Sequence, residues 1–154
     1  NGANGFTLGA GAQNVTGGTG DDTVHTGALA SLTGTYIGGS GSDTFDVGHD
    51  ATLSTALSGF EAVTLGTDVD LTTRIANAAL ITAAAGTNTV TLTDAGTMSG
   101  NAQVESYVLA DGTNTITLGA GAQQPVRVQV GGAHDRSDVG AHQFEASAFS
   151  SSRG

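Results

Sequence analysis

The sequence predicts an all-β fold, a parallel β-solenoid of the β-roll or β-helix kind with short strands and glycine-rich turns. Three observations indicate this class. Short segments recur along the chain, strand-like segments alternate polar and apolar residues, and the side chains are small: the 154 residues include 25 glycines and no tryptophan, and only 5% are aromatic. Small residues cannot fill a thick globular core, but they suit thin coils in which like side chains stack in columns.

Internal repeats are the strongest evidence for stacked coils. The segment TLGAGAQ occurs at 7–13 and again at 117–123, GTNTVTL at 86–92 recurs as GTNTITL at 112–118, and FEAVTL at 60–65 resembles VESYVL at 104–109. The offset of the last pair indicates two units of about 22 residues each. We therefore expect one long module that is built from smaller coils and begins again near residue 117.

The strand-like segments are short. Residues 88–93 and 114–119 alternate polar and apolar side chains with a period of two, and FTL, NVT, TVH and TFDV each lie beside a glycine-rich turn. Residues 72–85, TTRIANAALITAAA, fit neither the helical nor the strand period. That segment is either a short helix or a strand–turn–strand coil, and the sequence leaves both open.

Composition divides the chain at residue 124. Residues 1–123 carry the whole net charge of −10 and form the predicted solenoid module, whereas residues 124–154 have no net charge, no threonine and the only proline. We expect residues 124–154 to be a terminal cap or a foreign extension. Its last nine residues, ASAFSSSRG, have the composition of a disordered end.

The charge limits the partners of this chain. The sequence contains no lysine, and Arg74 is the only base in residues 1–123. Nucleic acid is excluded as a partner because phosphate contacts need a basic surface. Membrane insertion is excluded as well, since no apolar run approaches the roughly 20 residues of a membrane span. Cations are the natural partners, and the absence of cysteine rules out thiolate metal sites.

Two nonapeptides carry the most specific signal. GGTGDDTVH at 17–25 and GGSGSDTFD at 38–46 both fit G-G-x-G-x-D-x-U-x, where U is a large apolar residue. Calcium takes six to eight oxygen ligands at about 2.3–2.6 Å, and glycine permits the positive φ that lets backbone carbonyls converge on an ion. In these units the chain resembles the RTX family of secreted bacterial calcium-binding proteins.

The resemblance implies a role for each position of the motif. The first six residues would form a turn, and the last three a short strand whose apolar residue, Val24 or Phe45, points into the core. The carboxylates of Asp22 and Asp43 would bind calcium together with backbone carbonyls near four glycines of the two loops: Gly18, Gly20, Gly39 and Gly41.

The spacing departs from the family pattern. Loops that sandwich calcium in RTX proteins lie two nonapeptides apart, whereas the motifs that open at residues 17 and 38 are further apart than that. Residues 26–37 would therefore be a degenerate half-coil with three extra residues. If a bulge or a longer turn absorbs them, the loops at 17–22 and 38–43 still stack; otherwise each loop is only a half-site.

Other polar residues allow weaker hypotheses. Asp46, His49 and Asp50 follow the second loop. They either complete a second cation site or are solvated residues of a turn. Asp68 and Asp70 alternate along a possible strand and so share one face. They form either a weak cation site or a solvated edge. Glu61 and Glu105 occupy equivalent coil positions, which favours a repeated structural role over a catalytic pair.

No catalytic motif is present. The four histidines are scattered, and the sequence has no nucleophile elbow, P-loop or dinucleotide fingerprint. We therefore expect a non-enzymatic, calcium-stabilised structural module of a large extracellular bacterial protein, of surface-layer or adhesin type, secreted to the cell surface. The alternative is a module of a secreted enzyme that binds polysaccharide or another cell-surface ligand. Open solenoid ends would also permit self-association.

Overall fold

The computed structural model describes residues 2–101 and 103–118 and two further strands, Arg127–Val130 and Gln143–Ala146. The chain is a parallel β-solenoid of about six turns, which confirms the predicted fold class. One short helix interrupts the strands of the described residues. In chain order the elements are β1 (Gly5–Thr7), β2 (Val15–Thr19), β3 (Thr23–His25), β4 (Ser31–Leu32), β5 (Tyr36–Ser40), β6 (Thr44–Val47), β7 (Ala51–Leu53), β8 (Ala62–Leu65), β9 (Leu71–Thr73), α1 (Ile75–Ala78), β10 (Ile81–Ala83), β11 (Thr89–Leu92), β12 (Thr97–Gly100), β13 (Ser106–Leu109), β14 (Thr115–Leu118), β15 (Arg127–Val130) and β16 (Gln143–Ala146).

All strand pairs are parallel and join one turn of the coil to the next. Sheet 1 has the order β1-β3-β6-β8-β10 and sheet 2 the order β15-β13-β11-β9-β7-β4, while sheet 3 is β12-β14-β16 and sheet 4 is β2-β5. Within residues 2–118 the length of a turn varies, because the paired residues Val90 and Tyr107 are closer in sequence than the paired residues Val24 and Phe45. The faces stay in register while the corners change length.

The core consists of apolar columns that run along the solenoid axis. On sheet 1 the paired positions are Phe6, Val24, Phe45, Val63 and Ile81. The predicted core residues Val24 and Phe45 are 1% and 0% exposed, which confirms the inward orientation expected for them. The Phe45 ring also contacts two other rings, Tyr36 at 5.1 Å and Phe60 at 5.6 Å between centroids.

The repeated segments lie on different sheets. Residues 86–92 lead into β11 on sheet 2, but their copy at 112–118 leads into β14 on sheet 3. Likewise 60–65 contains β8 of sheet 1 and 104–109 contains β13 of sheet 2. The expectation that the offset of this last pair equals two whole units is therefore wrong. The same local pattern forms strands of more than one sheet. Two similar segments are therefore not necessarily separated by a whole number of turns.

The ambiguous segment 72–85 combines both alternatives. It forms the end of β9, the one-turn helix α1 and then β10. Asn77 of α1 is buried; its side chain accepts a hydrogen bond from the Leu57 N–H at 2.9 Å and donates one to the Thr55 carbonyl at 2.9 Å. The helix is therefore held to the preceding turn by a polar side chain.

Two strands of the segment 124–154 continue the solenoid. Strand β15 pairs with β13, and β16 pairs with β14. The predicted disordered end lies, apart from Ala146, outside the described residues, as does most of the second TLGAGAQ segment. Among the described residues no helix has the length and apolar character needed to cross a membrane.

Candidate cation site in the stacked glycine loops

The two glycine loops stack directly on each other. Strand β5 pairs with β2 so that Gly39 lies beside Gly18, and the Gly20 N–H donates to the Ser40 carbonyl at 2.8 Å. Residues 26–37, which include the extra residues, contain the two-residue strand β4 of sheet 2 and the start of β5. Of the two alternatives, the structure shows the first: the loops at 17–22 and 38–43 stack despite their longer spacing.

The loop glycines adopt the left-handed conformations that the motif requires. Gly18 and Gly20 have φ values of 106° and 107°, and Gly39 and Gly41 have values of 123° and 141°. A Cβ on Gly39 would collide with the Gly18 carbonyl oxygen of the preceding turn. Glycine is needed here both for its backbone angle and for the close approach of the two loops.

The first part of each motif differs from the expected turn. Residues 17–19 belong to β2 and residues 38–40 to β5, and the turn proper starts after them. These residues are extended because each turn of the solenoid contributes one loop, and the backbones of adjacent loops pair as parallel strands. The last three residues of each motif are in strands, as expected.

Asp22 and Asp43 are buried and joined in a ladder between turns. They are 1% and 0% exposed. Asp22 Oδ1 accepts hydrogen bonds from the backbone N–H and the side-chain amide of Asn4, at 2.8 and 2.7 Å. The Asp22 N–H donates to Asp43 Oδ1 at 2.7 Å, and the Asp43 N–H donates to Glu61 Oε2 at 2.6 Å. One carboxylate oxygen of each aspartate thus bonds to the preceding turn.

The second oxygen of each aspartate is buried without a partner. Within the described part of the chain, neither Asp22 Oδ2 nor Asp43 Oδ2 has a hydrogen-bond donor. A Cβ on Gly17 would collide with both Asp22 Oδ2 and the Gly38 carbonyl oxygen. A Cβ on Gly38 would lie 2.7 Å from Asp43 Oδ2 and would collide with the Gly59 carbonyl oxygen. In each case the free aspartate oxygen and the carbonyl oxygen of the next turn thus lie close to the same glycine Cα. A buried carboxylate oxygen without a donor is costly unless a cation or a proton satisfies it.

The carbonyls beside the free aspartate oxygens come from one residue next to the predicted Gly39 and from one residue outside both motifs. They belong to Gly38 and Gly59, whereas the Gly18 and Gly20 carbonyls lie against Gly39 and Gly41 of the next turn. Gly38 opens the second nonapeptide, so the motif offered a signal for it. Gly59 lies in LSGFE, which matches no calcium motif, and only the register of the turns reveals it.

The donor set suits a hard cation. Carboxylate and carbonyl oxygens are the ligands that calcium and magnesium prefer. In the part of the chain that the structure describes, no three His, Cys, Asp or Glu side chains converge as a metal cluster. A cation in the loops would therefore depend on backbone carbonyls as well as on the two aspartates.

The weaker candidates have structural partners. Asp46 bonds to His25 Nδ1 at 2.9 Å and accepts from the Thr64 hydroxyl at 2.8 Å. Asp50 accepts from the Asp70 N–H at 2.9 Å, and with His49 and Asp68 it lines a shallow cavity of about 400 Å³.

Asp68 and Asp70 lie in the turn before β9, not on a strand, because Asp68 has a φ of 56°. They accept the N–H groups of Thr87 and Thr89 at 2.7 and 2.8 Å, so both do face the next turn.

The two glutamates share one role. Glu61 Oε2 accepts from the Asp43 N–H at 2.6 Å, and Glu105 Oε2 accepts from the Asn88 N–H at 2.8 Å. Each bonds to the turn before its own. The repeated structural role expected for them is confirmed.

Fold and loops together define a parallel β-solenoid with stacked, acidic, glycine-rich loops on one corner. No protein-family model matches the chain, and neither the curated proteins nor the solved structures contain a match. The case for a function therefore rests on the geometry of the loops.

Proposed function

We propose that this chain is a calcium-stabilised structural module of a large extracellular bacterial protein. The observation that carries the proposal is the pair of buried, unpartnered oxygens, Asp22 Oδ2 and Asp43 Oδ2, each beside a backbone carbonyl of the next turn. The resemblance of residues 17–25 and 38–46 to RTX repeats supports calcium as the ion and secretion to the cell surface as the setting.

The residues that would hold calcium follow from these contacts. Asp22 and Asp43 would supply carboxylate oxygens, and Gly38 and Gly59 would supply carbonyl oxygens. The left-handed glycines Gly18, Gly20, Gly39 and Gly41 would act by letting the loops stack closely. Calcium would supply the positive charge that the two buried aspartate oxygens lack.

The mechanism would couple ion binding to folding. Without calcium, buried carboxylates and the net charge of −10 oppose compaction, which suits a chain that is exported unfolded. Extracellular modules bind calcium at about 10⁻⁴–10⁻³ M. An ion that binds only the folded state stabilises it by about 2.7 kcal/mol at a hundredfold excess over Kd.

The first test is thermal unfolding followed by far-UV circular dichroism, in EDTA and in calcium up to about 10 mM, with magnesium as the control ion. We expect calcium to raise the melting temperature by several degrees or more. Equal melting temperatures in EDTA and calcium would contradict the proposal.

Substitutions sharpen this test. Asp22→Asn and Asp43→Asn keep the Oδ1 acceptor and place an amide donor against the Gly38 or Gly59 carbonyl. The double variant should therefore melt higher than the wild type in EDTA and lose its response to calcium. Asp21→Asn is the matched control, because Asp21 is an exposed neighbour whose Oδ1 accepts the Ser42 N–H at 2.8 Å. It should keep the wild-type response.

The rival to a cation is a proton on each Oδ2. A protonated carboxyl would donate to a backbone carbonyl, and calcium would then leave the melting temperature unchanged. A calcium response at neutral pH that the double variant lacks would exclude this rival.

A further inference from the structure

We infer that the loops contain two separate cation sites, and that the second is completed by residues 57–61, a turn without a nonapeptide. This inference rests on the proposed function. It adds a site that the sequence motifs do not mark, formed by Asp43 and the Gly59 carbonyl.

The register places residues 57–61 under the second loop. Ile37 bridges to Ser58 in parallel, the Gly38 N–H donates to the Ser58 carbonyl at 2.9 Å, and the Gly39 N–H donates to the Gly59 carbonyl at 3.2 Å. Gly59 has a φ of 63°, so this turn too relies on a left-handed glycine. Residues 57–61 therefore pair with the backbone of the second loop as the second loop pairs with that of the first.

Glu61 takes the place of the motif aspartate. The turn from Phe45 to its partner Val63 is shorter than the turn from Val24 to its partner Phe45. Glutamate is one methylene longer than aspartate, and Glu61 Oε2 still reaches the Asp43 N–H at 2.6 Å. The longer side chain offsets the shorter turn, so the ladder of carboxylates continues past the last nonapeptide.

Each free aspartate oxygen has its own carbonyl. Asp22 Oδ2 and the Gly38 carbonyl oxygen both lie beside Gly17, and Asp43 Oδ2 and the Gly59 carbonyl oxygen both lie beside Gly38. Successive turns are about 4.8 Å apart along the axis. The two oxygen pairs are therefore separate, one in each space between turns, and the geometry points to one ion for each.

The test is calcium stoichiometry, measured by equilibrium dialysis of the full chain at about 0.5 mM protein, a concentration comparable to the expected Kd. We expect two ions for the wild type, one for Asp22→Asn, one for Asp43→Asn and none for the double variant. Asp21→Asn should still bind two. Circular dichroism checks that each variant is folded, and the amide donors make folding without calcium favourable.

The outcomes separate the two proposals. One ion for the wild type and none for either single variant would mean that Asp22 and Asp43 share a bridging ion, which overturns this inference and leaves the proposed function standing. No bound calcium in the wild type would overturn both. Retention of two ions by Asp43→Asn would exclude Asp43 as a ligand and overturn the second site.

Discussion

At the residue scale, most acidic and amide side chains of the solenoid corners accept backbone N–H groups of a neighbouring turn. Asp94 Oδ1 accepts the Ile75 N–H at 2.7 Å, and Asn14 Oδ1 accepts the Thr35 N–H at 2.9 Å. Strand ladders stop at corners, and the N–H groups there need another acceptor. Many of the acidic side chains therefore have a structural role. Among the acidic side chains that the structure describes, those of Asp22 and Asp43 keep a buried oxygen without a partner, and these two oxygens point to a ligand.

Tyr107 gives the chain a defined response to alkaline pH. Burial raises the pKa of Tyr107 from 10.0 to about 12; the backbone hydrogen bond from Asn101 acts in the opposite direction, and the nearby Glu105 charge adds to the rise. Because the folded state favours the neutral phenol, its contribution to stability is complete below pH 10 and is lost as the pH rises through 12.

Ultraviolet absorbance of tyrosinate, recorded with circular dichroism against pH, checks this prediction. One phenol should ionise near pH 12 while the chain is folded, and that titration should be absent from Tyr107→Phe. Ionisation of Tyr107 near pH 10 before unfolding would contradict it.

At the scale of the element, the pairing of β2 with β5 depends on Gly39. An alanine there would hold a φ of 123° and collide with the Gly18 carbonyl, so Gly39→Ala should destabilise the fold by about 1–3 kcal/mol or more. Gly5→Ala is the control, because its Cβ would meet nothing within 4 Å and its φ is not in the left-handed region.

Urea unfolding measures both variants. Gly5→Ala should change the free energy of unfolding by no more than about 0.5 kcal/mol. If Gly39→Ala lowered the free energy of unfolding no more than Gly5→Ala does, the loops would not stack as closely as described.

The sequence predicted the elements better than their places in the sheets. Period-two alternation located β11 and β14, and the motif placed Val24 and Phe45 in the core. It could not assign segments to sheets, because one local pattern serves several faces.

The candidate site was likewise predictable only in part. The motif identified Asp22 and Asp43, but the Gly59 carbonyl comes from register, which depends on the lengths of corners that carry no distinctive residue. Every residue has a backbone carbonyl, so the residue type does not show which carbonyls lie at the site.

At the scale of the whole molecule, the acidic charge should make stability depend on salt. Residues 1–123 hold the net charge of −10, and the repulsion between these charges is screened over about 10 Å at 0.1 M salt and about 3 Å at 1 M. In EDTA, raising sodium chloride from about 0.05 to about 0.5 M should increase the melting temperature by a few degrees.

Salt screens buried charges less than exposed ones, so calcium bound to the buried oxygens of Asp22 and Asp43 should add a further increase even at high salt. The double variant Asp22→Asn, Asp43→Asn should show the salt effect without the calcium increment. A melting temperature that is constant or falls with salt would contradict a destabilising role for the surface charge.

The unequal turn lengths have a consequence for how such a chain can change over generations. Turns of different length keep the same columns in register, because the difference is absorbed at corners such as those on either side of β4 and the one at residues 57–61. Insertion or deletion of a few codons at a corner therefore alters a loop without shifting the strands on either side. A lineage could lengthen one corner, shorten another and exchange aspartate for glutamate there, while every apolar column stayed in frame.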